Sequence, residues 1–261
     1  YAHVGGGSSN HITASTYGII VGGRWNSVFE SVGSSIVSGI ENLHYGSEIS
    51  HIGGGSGNTI TSSQIRNSHS STIGGGMRNT ISGSTKSFIG GGMSNKIQPF
   101  AGSGTFLGGS VVVGGQSNKI HARQGYSFIG GGLSNLIQVR ENIQASKSFI
   151  GGGIYNQILG SNETFLGGGF GNIIYSTKDN NIIVGGKNNS VGQSYGGGVE
   201  QYSTIVGGRY NKILSLSVFG STSDGNFIGG GEYNEVTGTS HSAIVGGYEN
   251  STYDSKRGFI G

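Results

Sequence analysis

The chain has 261 residues, of which 56 are Gly, one is Pro and none is Cys; 33% are hydrophobic, 10% are charged, and the formal charge is +3. So little proline excludes collagen, and so little charge, set against Ile, Val, Leu and Phe recurring at fixed places, excludes a disordered chain. The 15 basic and 12 acidic residues are spread without a Lys/Arg cluster or aromatic and basic interleaving, so nucleic acid is not expected as a partner.

One unit recurs along the chain, I-[G/V]-G-G-x-x-N-x-[I/V]: Phe88-Ile89-Gly90-Gly91-Gly92-Met93-Ser94-Asn95-Lys96-Ile97 returns as Phe128-Ile129-Gly130-Gly131-Gly132-Leu133-Ser134-Asn135-Leu136-Ile137. In chain order its Asn falls at Asn10, Asn26, Asn42, Asn58, Asn79, Asn95, Asn118, Asn135, Asn156, Asn172, Asn189, Asn211, Asn234 and Asn250. Successive anchors are 16 or 17 residues apart except at five places, where the spacing grows to 21, 22 or 23. The extra residues, as in Gln64 to Ser71, Pro99 to Gly104 and Leu214 to Asp224, are polar or irregular and read as loops leaving one corner of a repeating coil. The copy at Ile36-Val37-Ser38-Gly39-Ile40-Glu41-Asn42 has Ser in place of one Gly, and Tyr195-Gly196-Gly197-Gly198 is an isolated half-motif. The array opens inside one repeat and stops inside another, so residues 1–261 read as one repeat array cut from a longer chain.

Apolar residues alternate within each unit, as in Ser148-Phe149-Ile150-Gly151 and Asn156-Gln157-Ile158, over runs too short and too rich in Gly for a helix. The expectation is an all-β chain: a parallel β-solenoid of about 14 coils with 16–23 residues per coil, each coil holding two strands of about five residues and two tight turns. The Ile, Val or Leu before the glycines and the Ile or Val after the Asn should point inward and stack into aliphatic columns. The motif Asn suits a corner because it tolerates the left-handed conformation and its amide can bond the equivalent Asn one coil away, giving a structural Asn ladder. Two readings of the Gly-Gly pair stay open: positive φ, or a face where another backbone comes too close for a Cβ, which implies neighbouring chains around an axis. Phe88, Phe106, Phe128, Phe149, Phe165, Phe227 and Phe259 precede the inward residue and should face outward, forming a stripe that subunit association would bury.

The tandem units, such as Ile52-Gly53-Gly54-Gly55-Ser56-Gly57-Asn58 and Phe227-Ile228-Gly229-Gly230-Gly231-Glu232-Tyr233-Asn234, resemble the GGG-x-x-N arrays of phage tail fibres and bacterial surface proteins. They are also similar to the YadA-like heads of trimeric autotransporter adhesins. The resemblance covers essentially the whole chain and implies a left-handed parallel β-roll in each of three parallel chains. It further implies a location outside the cell, on a cell surface or in a virion fibre.

No phosphate loop occurs, and the only Asp residues are Asp179, Asp224 and Asp254, too few for a calcium-binding roll. His3, His11, His44, His51, His69, His121 and His241 lack metal-ligand spacing and read as solvated side chains. Glu232, Glu235, Glu200 and Glu249 could cluster by stacking, the feature a polysaccharide-cleaving tailspike would need. Thr is too irregular for an ice-binding face. No catalytic residue, metal ligand or cofactor is therefore assigned. Trp25, Tyr155, Tyr210, Tyr233 and Tyr248 are read as one column one residue before the motif Asn, a candidate contact for a glycan or host surface receptor, or else an aromatic ladder. No apolar run approaches the ~20 residues that cross a bilayer, so no membrane insertion is expected within the segment. The expected function is a structural or adhesive extracellular fibre segment; the alternative is a polysaccharide-cleaving spike.

Overall fold

The structure, a computed structural model, describes residues 1–61, 70–99, 107–122, 126–138, 147–160, 162–175, 180–192, 199–214, 222–254 and 256–261. The half-motif at Tyr195 to Gly198, Phe106, His69, Asp179 and nearly all of the three loops named above lie outside the described residues. The described chain is all β, with no helix, and forms two compact units, Tyr1–Leu133 and Ser134–Gly261.

Each unit is a parallel β-solenoid. In the first, two-residue strands such as Ile19–Ile20, Ser35–Ile36 and His51–Ile52 stack in parallel one coil after another, with Ile20, Ile36 and Ile52 in register. The strands after the Asn, among them Ser27–Phe29, Leu43–Tyr45 and Thr59–Thr61, stack into a second parallel sheet. The second unit repeats the scheme, with Phe149–Ile150, Phe165–Leu166 and Ile182–Ile183 in one sheet. Gln157–Leu159, Ile173–Tyr175 and Ser190–Val191 belong to the other. One short accessory pair adjoins each unit's coils, Ser84–Thr85 with Leu107–Gly108 and Val199–Gln201 with Thr222–Asp224.

The strands are shorter than the five residues expected, because each regular coil turns at four left-handed residues instead of two simple turns. In the coil around Trp25 these are Gly23, Trp25, Glu30 and Gly33. Between them, Arg24 and Val32 each form a single-residue parallel bridge to the neighbouring coils. Three of the four left-handed residues, Trp25, Glu30 and Gly33, turn their N–H against the prevailing direction. Most main-chain N–H groups bond the following coil, as Ser27 does to Asn42 at 2.9 Å, whereas Trp25 bonds back to Ser8 at 3.0 Å and Gly33 to Thr16 at 2.8 Å. Every coil is thereby stitched to both neighbours, and this explains how non-glycine residues hold a conformation that otherwise costs ~1–2 kcal/mol.

The core is two side chains wide. Ile20, Ile36, Ile52, Ile73 and Ile89 from the first strands face Val28, Ile60, Ile81 and Ile97 from the second, all fully buried, and Ile150, Leu166, Ile183, Ile158 and Ile174 do the same in the second unit. Burying one such side chain is worth roughly 1.5–3 kcal/mol.

Candidate functional site

The motif asparagines form a ladder in each unit. Asn26 is fully buried, and its Oδ1 accepts the main-chain N–H of Asn42 at 3.1 Å. Its Nδ2 donates to the Gly22 carbonyl of its own turn at 3.1 Å and to the Gly39 carbonyl of the next at 2.9 Å. The same bonding runs from Asn10 through Asn26, Asn42, Asn58, Asn79, Asn95 and Asn118 in the first unit. In the second it runs from Asn135 through Asn156, Asn172, Asn189, Asn211, Asn234 and Asn250. The left-handed corner is not the Asn itself. It falls on the residue before, whether Trp25, Glu41, Arg78 or Tyr155, while the Asn turns inward. What selects Asn is an amide that supplies two donors and an acceptor to a buried turn whose carbonyls would otherwise be orphaned.

The two glycines of the recurring pair have different causes. Gly23 sits at φ 90°, and a Cβ there would lie 2.2 Å from the Gly39 carbonyl oxygen and 2.6 Å from Asn26 Nδ2. The close approach is made by the next coil of the same chain, not by a neighbouring chain. Gly22 has no positive φ, and a Cβ on it would meet nothing within 4 Å. The same open space lies before Gly91 and Gly207, and Ser38 occupies the row in its own coil.

A second buried polar column, not expected from the sequence, lies two residues before the inward aliphatic of the first strands, with Ala2, Gly18 and Gly258 at that place in three of them. Ser34, Ser50, Ser71, Ser87, Ser110, Ser127, Ser148, Thr164, Asn181, Ser203, Asn226 and Ser242 are all buried. Ser71 Oγ accepts the Ser87 N–H at 3.3 Å, and Asn226 Oδ1 accepts the Ser242 N–H at 3.0 Å. Each regular core is thus framed by two polar columns.

The outer surface is organised in rows. Trp25, Tyr155, Tyr210 and Tyr233 share the left-handed row before the Asn. Tyr248 does not: it stands two residues before Asn250, bridges to Glu232, and Glu249 takes the left-handed place. Tyr210 and Tyr233 stack at 4.9 Å with rings 4° from parallel, and Tyr248 meets Tyr233 edge-on at 6.0 Å. Arg24 lies over the Trp25 ring at 4.9 Å. These rings spend their faces on one another and on neighbouring cations, as an aromatic ladder does. Lys187, Arg209, Glu232 and Tyr248 edge a shallow open groove of about 620 Å³ floored by Gly186, Gly208, Gly231 and Gly247.

Phe88, Phe165, Phe227 and Phe259 point outward and are exposed. Phe88, Phe128, Phe149, Phe165, Phe227 and Phe259 each have Gly two residues on, whereas Ile19, Ser35, Val111, Ile182, Thr204 and Ala243 have Val there. Residues two apart share a face of the strand, and a Cβ on Gly90 would lie 2.3 Å from the Val113 carbonyl oxygen of the next coil and 3.3 Å from the Phe88 ring. The ring lies in the room the glycine leaves.

His44 corrects the expectation of solvated histidines. It stands in the inner column between Val28 and Ile60, with no exposed surface, Nδ1 3.1 Å from Ser47 Oγ and Nε2 3.1 Å from the Ser35 carbonyl. Burial drives its pKa down to about 4; the Ser35 carbonyl opposes the shift and the nearby His51 adds to it. His121, half-buried beside Lys96 and Lys119, is also lowered, chiefly by burial. Three of the four acidic residues are already bonded within the chain. Glu232 pairs with Arg209 at 2.6 Å, Glu235 accepts from Thr237 Oγ1 at 2.7 Å, and Glu249 bonds the Tyr248 hydroxyl, which raises the pKa of that phenol. The side chain of Glu200 lies outside the description. Among the described residues, no group of three or more His, Asp or Glu could hold a metal ion, and no helix is long and apolar enough to cross a membrane.

No family model matches the chain, and no curated protein matches it.

Proposed function

We propose that this chain is a structural and adhesive segment, head or shaft, of an extracellular fibre on a cell surface or virion, built from three parallel copies. Its role is to hold a binding surface at a distance as a rigid rod. The observation that carries this reading is the division of labour inside every regular coil. Inward positions are filled by aliphatic columns and polar ladders, so what varies from coil to coil is the set of outward rows. Repeating frames of this kind add length by adding coils, each stabilised by its neighbours, and present one side chain per coil along each row.

Two measurements test the reading. Sedimentation of the isolated chain should give the mass of an oligomer, three copies being expected, and a monomer at every concentration would remove the assembly. Incubation with capsular or cell-wall polysaccharide should release no oligosaccharide, whereas sustained release would replace the fibre with a cleaving spike.

A further inference from the structure

The outward faces of the two sheets differ in one property. On the first-strand face no described residue is charged: Ile19, Val21, Val37, Phe88 and Val113 stand out in the first unit, and Phe165, Val184, Val206, Phe227 and Val245 in the second. The outward face of the second strands carries Lys96, Lys119, Lys212 and Glu235. Across the glycine turn from the charge-free face runs a further row with exposed Ile40, Met77 and Met93 in one unit and Ile154 and Phe170 in the other. The turn glycines typified by Gly22 put no side chain between the two rows except at Ser38, so in each unit the rows join into one mainly apolar strip. Depletion of charge with enrichment of aromatic residues and Met is the composition of an interface core.

We infer that this strip, the first-strand face together with the row beyond the glycine turn, is where a second copy of the same chain docks. The inference rests on the oligomeric fibre proposed above and assigns its contact surface. Area supports the assignment. The eight large apolar side chains of the first unit, each roughly 40–50% exposed, offer on the order of 600 Å². Half-buried residues between them bring the strip close to the ~800 Å² per partner that a stable interface buries, and the second unit offers a strip of similar size. Period selects the partner. The strip repeats once per coil, and a body with the same spacing stays in register with it from coil to coil; a further copy of this chain has that spacing. Polar breaks in the outer row are Ser8, Arg24, Ser56 and Gln116 in the first unit and Lys187, Arg209 and Glu232 in the second; Arg24 lies over the Trp25 ring, and Arg209 and Glu232 close an ion pair within the chain.

The test places charge on the strip. Val113→Arg and Val206→Arg alter side chains that are exposed in the single chain, so folding should survive, with unchanged far-UV circular dichroism. Both variants should sediment as monomers, while Lys119→Glu and Lys212→Glu, on the other sheet, stay associated. A folding-independent arm uses the absence of Cys. In the associated protein, Val206→Cys should react with a charged maleimide at least tenfold more slowly than Lys212→Cys. If the wild type associates but the arginine variants associate equally, or the two thiols react at equal rates, the strip is not the contact surface although the oligomer stands. If the wild type is monomeric throughout, the oligomer and this assignment fall together, and a polysaccharide or unrelated protein protecting Val206→Cys would name another occupant.

Discussion

Asn26 and Asn42, sixteen residues apart in sequence, are joined twice: the Oδ1 of Asn26 accepts the main-chain N–H of Asn42 at 3.1 Å and its side-chain amide at 3.0 Å. The Asn26 side chain bonds Gly22 of its own turn, Gly39 and Asn42 of the next coil and Asn10 of the coil before, and so spans three coils. The ladder therefore acts as a vertical tie as well as a turn filler, and its breakage should be felt in adjacent coils.

Asn58 sets the scale. Its Nδ2 donates to Gly54 and Gly76 carbonyls at 2.8 and 2.9 Å, and its Oδ1 accepts from Asn79 at 3.0 Å. Asn58→Ala leaves those groups unpaired in a buried turn, at about 1–3 kcal/mol for each one stranded. Asn58→Asp should be worse at neutral pH, because it keeps the acceptor but aims a carboxylate at two carbonyl oxygens. Chemical denaturation should rank stability as wild type, then Asn58→Ala, then Asn58→Asp; equal stability of all three would mean that the ladder contributes nothing.

His44 makes stability depend on pH. Its folded pKa of about 4 lies below the ordinary value of 6.5, so the unfolded chain binds the proton more readily. The neutral imidazole's contribution is complete above pH 6.5, shrinks as pH falls through that value, and is gone near pH 4. A shift of this size corresponds to about 3 kcal/mol over the window. His121, lowered in the same direction, adds to the same trend. His44→Ile, matching Ile60 one coil on, should flatten most of the acid limb of a stability profile measured by denaturant titration, and an unchanged limb would place the titration elsewhere.

Ile49 is a β-branched residue at φ 48°, two-thirds exposed, with its N–H bonded to the Val32 carbonyl at 2.7 Å. The coil before has Gly33 at this place. Ile49→Asn keeps the hydrogen bond and relieves the steric conflict, so it should stabilise the chain by roughly 0.5–1 kcal/mol. The check is a rise in the thermal midpoint without loss of cooperativity.

Much of this frame was legible because stacking forces equivalent residues to repeat. Coil length, the inward Ile20 and Val28 columns and the positions of the Asn ladder follow from recurring letters at recurring spacing. The second polar column was hidden because hydroxyl and amide can alternate there, Ser87 in one coil, Thr164 in another and Asn181 in the next, so no single letter recurs. The left-handed corners were hidden for a related reason. Hydrogen bonds between coils hold φ there, so Trp25, Glu41 and Arg78 all serve, and local propensity is overruled. His44 was misjudged because a polar residue at an aliphatic position reads as exposed unless its two partners, Ser47 and the Ser35 carbonyl, are known. Volume exchange between Phe88 and Gly90 is visible only once the two are known to share one face of a strand.

The glycine pair supplies the sharpest contrast. Gly23→Ala demands a left-handed alanine whose Cβ lies 2.2 Å from a main-chain oxygen that cannot move without breaking the ladder. Gly22→Ala asks for neither a left-handed backbone nor displaced atoms. In dilute protein the first should cost several kcal/mol, the sum of backbone strain and overpacking, and the second should change stability by about 0.5 kcal/mol or less. Denaturant midpoints of the two variants, measured where the chain is monomeric, decide the matter. Equal losses would mean that the middle glycine is needed inside the single chain after all, and a large loss for Gly22→Ala only at concentrations where copies associate would place its importance at the contact between chains.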